Sequence, residues 1–314
     1  MPASLAPASF AVCDGAGPMA AIELQGVVKT FGPIRAVDGL DLDVAEGICL
    51  GLLGPNGAGK STTMRLLTGQ AIADSGSLRV LGYELPRESK EARARMGVVP
   101  QLDNLDIDVT VEENLKVFAR LYRVGDIEAA VDRALALARL ADRRHDAVDE
   151  LSGGMRRRLL VARGLVHSPR LVLLDEPTVG LDPQIRAEIW TLIEALRAEG
   201  TTILMSTHYI EEAERLADEV ALMASGRVIA RGRPNDLIAE HAGRRTAEYY
   251  APPERRAEVR AAAEDAGLPV RSAGPAVVIV GCERAPDGLV PDEAITRPSS
   301  LEDVFVVLTG EELE

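Results

Sequence analysis

The sequence is poor in aromatic residues and in positive charge. Its 314 residues include four Phe, five Tyr and one Trp, so few side chains could stack on the bases of a nucleic acid. Lys and Arg number 35 against 49 Asp and Glu, which gives a net charge of −14. Because nucleic-acid binding requires a basic surface, we expect no nucleic-acid partner.

Cysteines and long apolar runs are also scarce. Cys13, Cys49 and Cys282 are odd in number, far apart and without metal-ligand spacing, which argues against a disulfide framework and suits a reducing cytosol. The longest apolar runs, such as 48–53 and 171–174, are far too short to cross a bilayer. The N-terminus lacks the cationic region and apolar core of a secretory signal.

The length suffices for one large α/β domain and a smaller second domain. Residues 1–20, mostly Ala, Pro, Ser and Gly, are predicted to be disordered, with Met19 a candidate start of the folded unit. The pattern changes around Pro234–Gly243, and residues 239–314 are predicted to form a small α+β domain without a catalytic constellation. Its expected elements are strands at 246–250 and 276–280, a helix at 254–266 and a final apolar segment at 301–308.

A Gly-rich loop follows the apolar run at 48–53. Gly54, Gly59, Lys60 and Ser61 fit the pattern G-x-x-x-x-G-K-[ST] at the start of a predicted helix. Such a loop curls its N–H groups around phosphate oxygens, and the helix start adds its positive dipole end. Lys60 could reach the β- and γ-phosphates, and the Ser61 hydroxyl could bind Mg²⁺. A purely structural turn is the alternative. The candidate nucleotide-binding residues are Gly54, Pro55, Asn56, Gly57, Ala58, Gly59, Lys60, Ser61 and Thr62.

A second candidate anion site begins at Ser152. This residue is predicted to cap a helix, and Gly153 and Gly154 are expected to leave exposed N–H groups there. One triphosphate needs only one cradle, so a second site of this kind indicates that two chains share each nucleotide. The three arginines at 156–158 are interpreted as a solvated helix face, with a nucleic-acid patch as the alternative.

Two adjacent carboxylates end the run LVLLDE at 171–176. Four consecutive aliphatic residues predict a strand buried on both faces of a parallel sheet. Asp175 could hold Mg²⁺, and Glu176 could polarise an attacking water. The two roles require different surroundings, one carboxylate at the metal and the other in a drier place with a raised pKa. Two acids in an exposed turn are the alternative, which conflicts with the buried strand before them.

Polar side chains follow two more predicted strands. Gln101 and His208 stand where a ligand-sensing side chain would lie. The alternatives are a plain loop residue for Gln101 and a structural histidine for His208, for which we favour a γ-phosphate contact. Asp182 precedes a proline that starts a helix well. Phe31 lies beside a turn and is either an adenine-stacking or a core aromatic, which the sequence leaves open.

Taken in order, these motifs resemble the ATP-binding subunit of ABC transporters over residues 21–235. The segments 54–62, 151–155 and 171–177 look like its Walker A loop, signature and Walker B strand. Gln101, the segment 180–183, His208 and Phe31 look like its Q-loop glutamine, D-loop, switch histidine and adenine-stacking aromatic.

The resemblance implies an α/β fold in the ATP-binding domain, 21–238. Its P-loop NTPase (RecA-like) core would carry an antiparallel β subdomain and an inserted α-helical subdomain at about 103–165. The segments 102–118 and 301–310 resemble exporters of the nodulation lipo-oligosaccharide and daunorubicin-resistance type. Met155 stands where many ABC proteins have Gln, although members of this subgroup often have Met.

The resemblance also implies a mechanism. In a head-to-tail homodimer, ATP would lie between Walker A of one chain and Ser152, Gly153 and Gly154 of the other, with Asp182 beside it. The Mg²⁺ ligands would be Ser61, Gln101 and Asp175. Glu176 would activate water, and His208 would sense the γ-phosphate. The expected partner is a separate ABC-2-type permease, with this chain at the cytoplasmic face of the membrane.

A soluble ABC ATPase acting on ribosomes or DNA is the alternative reading. Such proteins usually join two cassettes or insert long coiled coils. This acidic chain has one cassette and no such insertion.

Overall fold

The computed structural model describes residues 20–310, so the predictions for residues 1–19 lie outside the described part. Ala20, assigned above to a disordered extension, is the first residue of a strand. The strands are β1 (Ala20–Phe31), β2 (Ile34–Ala45), β3 (Cys49–Leu53), β4 (Ser75–Val80), β5 (Tyr83–Glu84), β6 (Met96–Val99), β7 (Leu171–Asp175), β8 (Thr202–Thr207), β9 (Glu219–Ala224), β10 (Arg227–Gly232), β11 (Arg245–Tyr250), β12 (Val270–Ala273), β13 (Ala276–Val280) and β14 (Ile295–Pro298). The α-helices are α1 (Lys60–Leu67), α2 (Ser89–Arg93), α3 (Val111–Leu121), α4 (Ile127–Ala138), α5 (Gly153–Leu165), α6 (Pro183–Ala198), α7 (Ile210–Leu216), α8 (Pro234–Leu237), α9 (Pro253–Asp265) and α10 (Leu301–Thr309).

An antiparallel sheet forms the first layer, in the order β2-β1-β4-β5. The sequence predicts several short strands between residues 21 and 44, whereas the structure has two strands of 12 residues each. Shifts in the pairing register of β1 and β2 interrupt the alternation of apolar residues, which explains the error. In β2 the alternation is clear, and Leu40, Leu42 and Val44 face the core.

The central sheet has the order β10-β9-β3-β8-β7-β6. Its strands are parallel except for the hairpin of β9 and β10. Every residue of β3 and β8 is buried, as are the four aliphatic residues of β7, so the prediction of a strand covered on both faces is confirmed. Because parallel strands share a direction, the carboxyl ends of β3, β6, β7 and β8 meet at one edge, and the loops after them carry the candidate site.

The helices α3, α4 and α5 pack together between β6 and β7 in the chain. Thr110 and Glu113 form the predicted capping box of α3, and Asp126 caps α4. The interpretation of residues 156–158 as a solvated face is wrong, because Arg157 is buried at 8% exposure and the other two arginines are half-buried. The three arginines, in the first two turns of α5, are therefore covered at least in part by other residues of the protein.

A third sheet, in the order β12-β13-β11-β14, lies near the C-terminus. The predicted strands at 246–250 and 276–280 and the helix at 254–266 are present as β11, β13 and α9 to within one residue. The sequence analysis missed β12 and β14, which are four-residue edge strands and too short to show an alternating pattern.

The last helix anchors this third sheet to the core. Leu301 and Val304 of α10 are fully buried in one cluster with Leu53 and Val220 of the central sheet. The backbone N–H of Leu301 also donates to a carboxylate oxygen of Glu214 in α7, at 2.9 Å. Within residues 20–310, no helix is both long enough and apolar enough to span a membrane.

Candidate functional site

The Gly-rich loop joins β3 to α1 and folds back on its own lysine. Lys60 is 4% exposed, and its Nζ donates hydrogen bonds to the carbonyl oxygens of Gly54, at 2.6 Å, and Pro55, at 3.0 Å. Burial lowers the pKa of Lys60, while the carboxylates of Glu176 and Asp175 act in the opposite direction. The ammonium group of Lys60 is therefore held by backbone carbonyl oxygens of its own loop.

Close backbone contacts explain the glycines at both ends of this loop. A Cβ at Gly54 would lie 2.3 Å from the carbonyl oxygen of Met223. Gly59 has φ of +104°, and a Cβ there would lie 2.5 Å from the carbonyl oxygen of Ala36. Both neighbours are backbone atoms that cannot move aside, so only glycine fits at either position.

Three candidate side chains converge on Glu176. Gln101 donates from Nε2 to Oε2 of Glu176 at 2.9 Å, and Nδ1 of His208 lies 3.3 Å from Oε1. Lys60 Nζ lies 3.8 Å from the same Oε1, and both of these side chains are buried. The loops after β3, β6, β7 and β8 therefore meet at one carboxylate, as the sequence analysis expected of these strand ends.

Glu176 has an uncommon backbone conformation. Its φ is +45°, in the left-handed region that non-glycine residues seldom adopt, and the residue as a whole is 6% exposed. Its backbone N–H donates to both the carbonyl oxygen and Oγ of Ser206, each at 3.1 Å. Conformations of this kind persist where the surroundings enforce them, which is common at active sites.

Asp175 points to a different partner from its neighbour. The Ser206 hydroxyl donates to Oδ1 of Asp175 at 2.5 Å. Burial raises the pKa of Asp175, while the hydrogen bond from Ser206 opposes this shift. A raised pKa is thus found on Asp175, the carboxylate that the sequence analysis assigned to the metal.

The chemistry of the donor set suits Mg²⁺. The hydroxyl of Ser61, the carboxylate of Asp175 and the amide oxygen of Gln101 are all oxygen donors, which this ion prefers. Across residues 20–310, no three His, Cys, Asp or Glu side chains come together as a metal cluster.

The second candidate anion site lies at the start of α5. Ser152 is the N-cap, and its hydroxyl accepts from the N–H of Met155 at 3.3 Å, as predicted. Ser152 and Gly153 are exposed. Among the hydrogen bonds and ion pairs of residues 20–310, none joins Ser152 to Lys60 or Glu176. One chain therefore does not bring the two anion sites together by direct contact.

Gly154 corrects part of the expectation for this segment. It is buried rather than exposed, and a Cβ there would lie 2.6 to 2.8 Å from three side-chain atoms of Ile185. Ile185 belongs to α6, whose N-cap Asp182 accepts from the N–H of Ile185 at 3.0 Å. Gly154 thus serves close helix packing, and Asp182 serves as a helix cap.

Phe31 is not a core aromatic. It is 41% exposed at the end of β1. Lys29 Nζ and the guanidinium of Arg65 lie 5.2 and 5.7 Å from the ring centre. Arg65 belongs to α1, so the ring lies beside the helix that follows the Gly-rich loop, with a face framed by cations.

Comparison with known proteins identifies the family of this chain. The chain is 43% identical to Nod factor export ATP-binding protein I of Rhizobium meliloti (strain 1021) over 307 residues, which is 96% of this chain and 91% of the relative. It is 45% identical to the protein of the same name from Paraburkholderia xenovorans (strain LB400), over 95% of this chain and 99% of the relative. The chain belongs to the ABC transporter family.

The family profile, described as ABC transporter, matches residues 37–179 of this ABC protein. Among solved structures, cbiO1 from Clostridium perfringens, part of the ABC transporter complex cbiONQ, has a TM-score of 0.64 and 27% identity over 70% of this chain and 91% of its own. The dimeric structure of MJ0796, a bacterial ABC transporter cassette, has a TM-score of 0.62 and 27% identity over 68% of this chain and 98% of its own.

These comparisons confirm the predicted family, the nodulation-type exporter subgroup, the P-loop α/β fold and the class of activity, an ATPase that serves transport. The assignment of individual residues remains a prediction.

Sequence reasoning missed two buried residues beside this ABC site. Arg157 donates to carbonyl oxygens on both sides of the Glu176 cluster. Glu212, fully buried in α7, accepts from the Thr178 hydroxyl at 2.8 Å and from Nε1 of Trp190 at 3.1 Å. Glu212 could have been noticed in the sequence as a charged residue four positions after His208. The three consecutive arginines concealed Arg157, because such a run usually marks a solvated face.

Proposed function

We propose that this chain forms a homodimer that binds and hydrolyses ATP with Mg²⁺ and drives export through a separate ABC-2-type permease at the cytoplasmic face of the membrane. The observation that carries the proposal is the meeting of Lys60, Gln101 and His208 on Glu176. The relatives are named for Nod factor export, which supports a cargo of that kind. In this proposal residues 21–238 are the ATP-binding domain and 239–314 the accessory domain.

Each side chain has a separate role in the proposed hydrolysis. Lys60 and the amides of its loop bind the phosphates, and Phe31 stacks on the adenine. Ser61, Asp175 and Gln101 would hold Mg²⁺, which would supply positive charge beside the phosphates.

Glu176 accepts the proton of the attacking water as general base. Its buried carboxylate stays beside the lysine, and the hydrogen bond from Gln101 fixes its orientation. His208 approaches the same oxygen as Lys60, and this proximity supports its proposed role as a sensor of the γ-phosphate.

The second half of each site comes from the partner chain in this proposal. Ser152 and the N-terminus of α5 would meet the triphosphate bound at the other chain's loop, since the N-terminus of a helix attracts anions. Exposure of Ser152 and Gly153 supports this role. ATP would thereby favour the closed dimer, and hydrolysis would release it and move the permease.

Complementation between two defective chains tests the shared site. Lys60→Ala damages the loop, while Ser152→Asp keeps a helix cap but repels the triphosphate. Mixing the two variants should restore about a quarter of the wild-type phosphate release, because about half of the dimers are mixed and each mixed dimer holds one intact site. The double variant Lys60→Ala/Ser152→Asp, mixed with wild type, is the matched control. Each site of its mixed dimers has one defective half, so phosphate release should come from the wild-type dimers alone.

Absence of any regain would place both halves of the site in one chain and contradict the proposal. The partner is tested separately by purification from membranes, where recovery of a polytopic membrane protein is expected. Recovery of ribosomes or DNA instead would favour a soluble ABC ATPase.

A further inference from the structure

Arg157 occupies a central position beneath the candidate site. Its guanidinium is buried in α5, 8% exposed, and donates to five backbone carbonyl oxygens. The acceptors are those of Pro100, Gln101, Asp175, Glu176 and Pro177, at 2.8, 3.1, 3.5, 3.1 and 2.6 Å.

These acceptors belong to two separate loops. Pro100 and Gln101 follow β6, whereas the other three residues end β7 and continue beyond it. The planar fork of an arginine can donate in several directions at once, so one side chain spans both loops. A single guanidinium thereby joins the backbone of Gln101 to that of Glu176, beyond the point where the paired strands β6 and β7 end.

A second arginine of α5 holds the same loop further along. Arg163 is 4% exposed, and it donates to both the carbonyl and side-chain oxygens of Asn104. Its guanidinium also lies 4.2 Å from the ring centre of Phe118. Residues 101–104 are exposed, so α5 supports an otherwise solvent-facing loop from beneath.

We propose that Arg157 is a positioning residue that aligns the Gln101 amide with the Glu176 carboxylate. This inference rests on the proposed hydrolytic role of those two residues. Arg157 contacts only their backbone oxygens, so its effect on the reaction is indirect. Without the guanidinium, the buried carbonyl oxygens would lose their donor and the two loops would separate.

The arrangement also connects the start of α5 to the site. Ser152 caps the helix, and Arg157 lies less than two turns further along it. A triphosphate bound against Ser152 would therefore pull on the same rigid helix that holds Gln101 and Glu176.

The test measures turnover and nucleotide affinity separately in the full-length chain. Arg157→Met should lower kcat about 10- to 100-fold, because a shift of about 1 Å at a catalytic group can cost 10²-fold. The Kd for ATP should stay within about twofold, since the loop around Lys60 is untouched. The apparent Mg²⁺ requirement should rise, because Gln101 would be displaced.

Conservative and control variants separate positioning from general stability. Arg157→Lys should give a kcat between those of Arg157→Met and wild type, because one ammonium cannot span both loops. Arg156→Met is the matched control: Arg156 also donates to two carbonyl oxygens, those of Val148 and Asp149, but both belong to the short 3-10 segment Val148–Glu150 before α5 and not to the loops of Gln101 and Glu176. Its kcat should stay near wild type.

Three outcomes would overturn the inference. One is a folded Arg157→Met protein with wild-type kcat. Another is an equal loss of kcat and ATP affinity in every Arg157 variant. The third is failure of Arg157→Met, Arg157→Lys and Arg157→Gln alike to fold, which would assign Arg157 to stability alone. An inactive wild type would instead refute the proposed function, so the two failures are distinguishable.

Discussion

Lys60 Nζ lies 3.8 Å from Oε1 of Glu176, and the side chains are 4% and 7% exposed. The pair joins the phosphate-binding loop to the end of β7 in the interior. The carboxylate of Glu176 acts to raise the pKa of Lys60, against the larger effect of burial. Substitution of Glu176 is expected to affect mainly hydrolysis, whereas substitution of Lys60 is expected to affect mainly ATP binding.

Glu176→Gln should slow hydrolysis by roughly 10² to 10⁴ while ATP still binds, because the amide keeps the shape of the carboxylate but cannot accept the proton of water. Phosphate release and nucleotide affinity measure the two effects. Glu194→Gln is a surface control, since Glu194 only pairs with Arg215 on the outside. Near-normal turnover in Glu176→Gln would remove Glu176 from its role.

Lys60→Ala should weaken ATP binding by about 10- to 100-fold, the range expected when a charged hydrogen bond is lost. Isothermal titration calorimetry measures the affinity directly. Lys116→Ala is the control, because Lys116 pairs with Glu112 and Glu128 away from the site. An unchanged ATP affinity would contradict the role of Lys60.

Gly154→Ala should destabilise the protein by about 1–3 kcal/mol, the usual cost of overpacking, because the new Cβ would meet Ile185. Chemical denaturation measures this change. Gly153→Ala is the control, since a Cβ there would have no neighbour within 4 Å.

Combining Gly154→Ala with Ile185→Ala should recover part of the loss, because the three clashing atoms are removed. Strict additivity of the two single substitutions in a double-mutant cycle would show that the contact is absent.

Glu212→Gln should change the pH dependence of stability. Burial raises the pKa of Glu212 above its ordinary value of 4.5, so the folded protein binds this proton more tightly than the unfolded chain does. Wild-type stability is therefore lost as the pH rises above about 4.5. The Gln variant lacks this loss, so its stability relative to wild type should increase as the pH rises above about 4.5. Parallel stability curves for the two proteins would contradict the shift.

The residues of the candidate nucleotide site could be recognised in separate segments of the sequence. A Gly-rich loop, a carboxylate pair, a glutamine and a histidine each follow an apolar strand, and parallel strands bring their carboxyl ends to one edge. This rule needs no side-chain geometry, so the meeting of Gln101 and His208 at Glu176 was within reach of the sequence.

Other features depend on distant parts of the chain. The left-handed conformation of Glu176 is held by Ser206 in the neighbouring strand, and the burial of Gly154 depends on Ile185 in α6. The short edge strands β12 and β14 are defined by pairing with β13 and β11. None of these relations leaves a periodic trace in the local sequence.

Local patterns in the sequence were enough to predict the family, the order of the strands and helices that carry the candidate site, and the residue types proposed to contact phosphate and metal. These features follow from local patterns of apolar residues, glycines and helix caps. The burial of Arg157 and its contacts with two loops are seen only in the three-dimensional fold. A charged side chain can be buried only where enough carbonyl oxygens surround it. Those oxygens come from segments far from Arg157 in the chain, and folding alone brings them together.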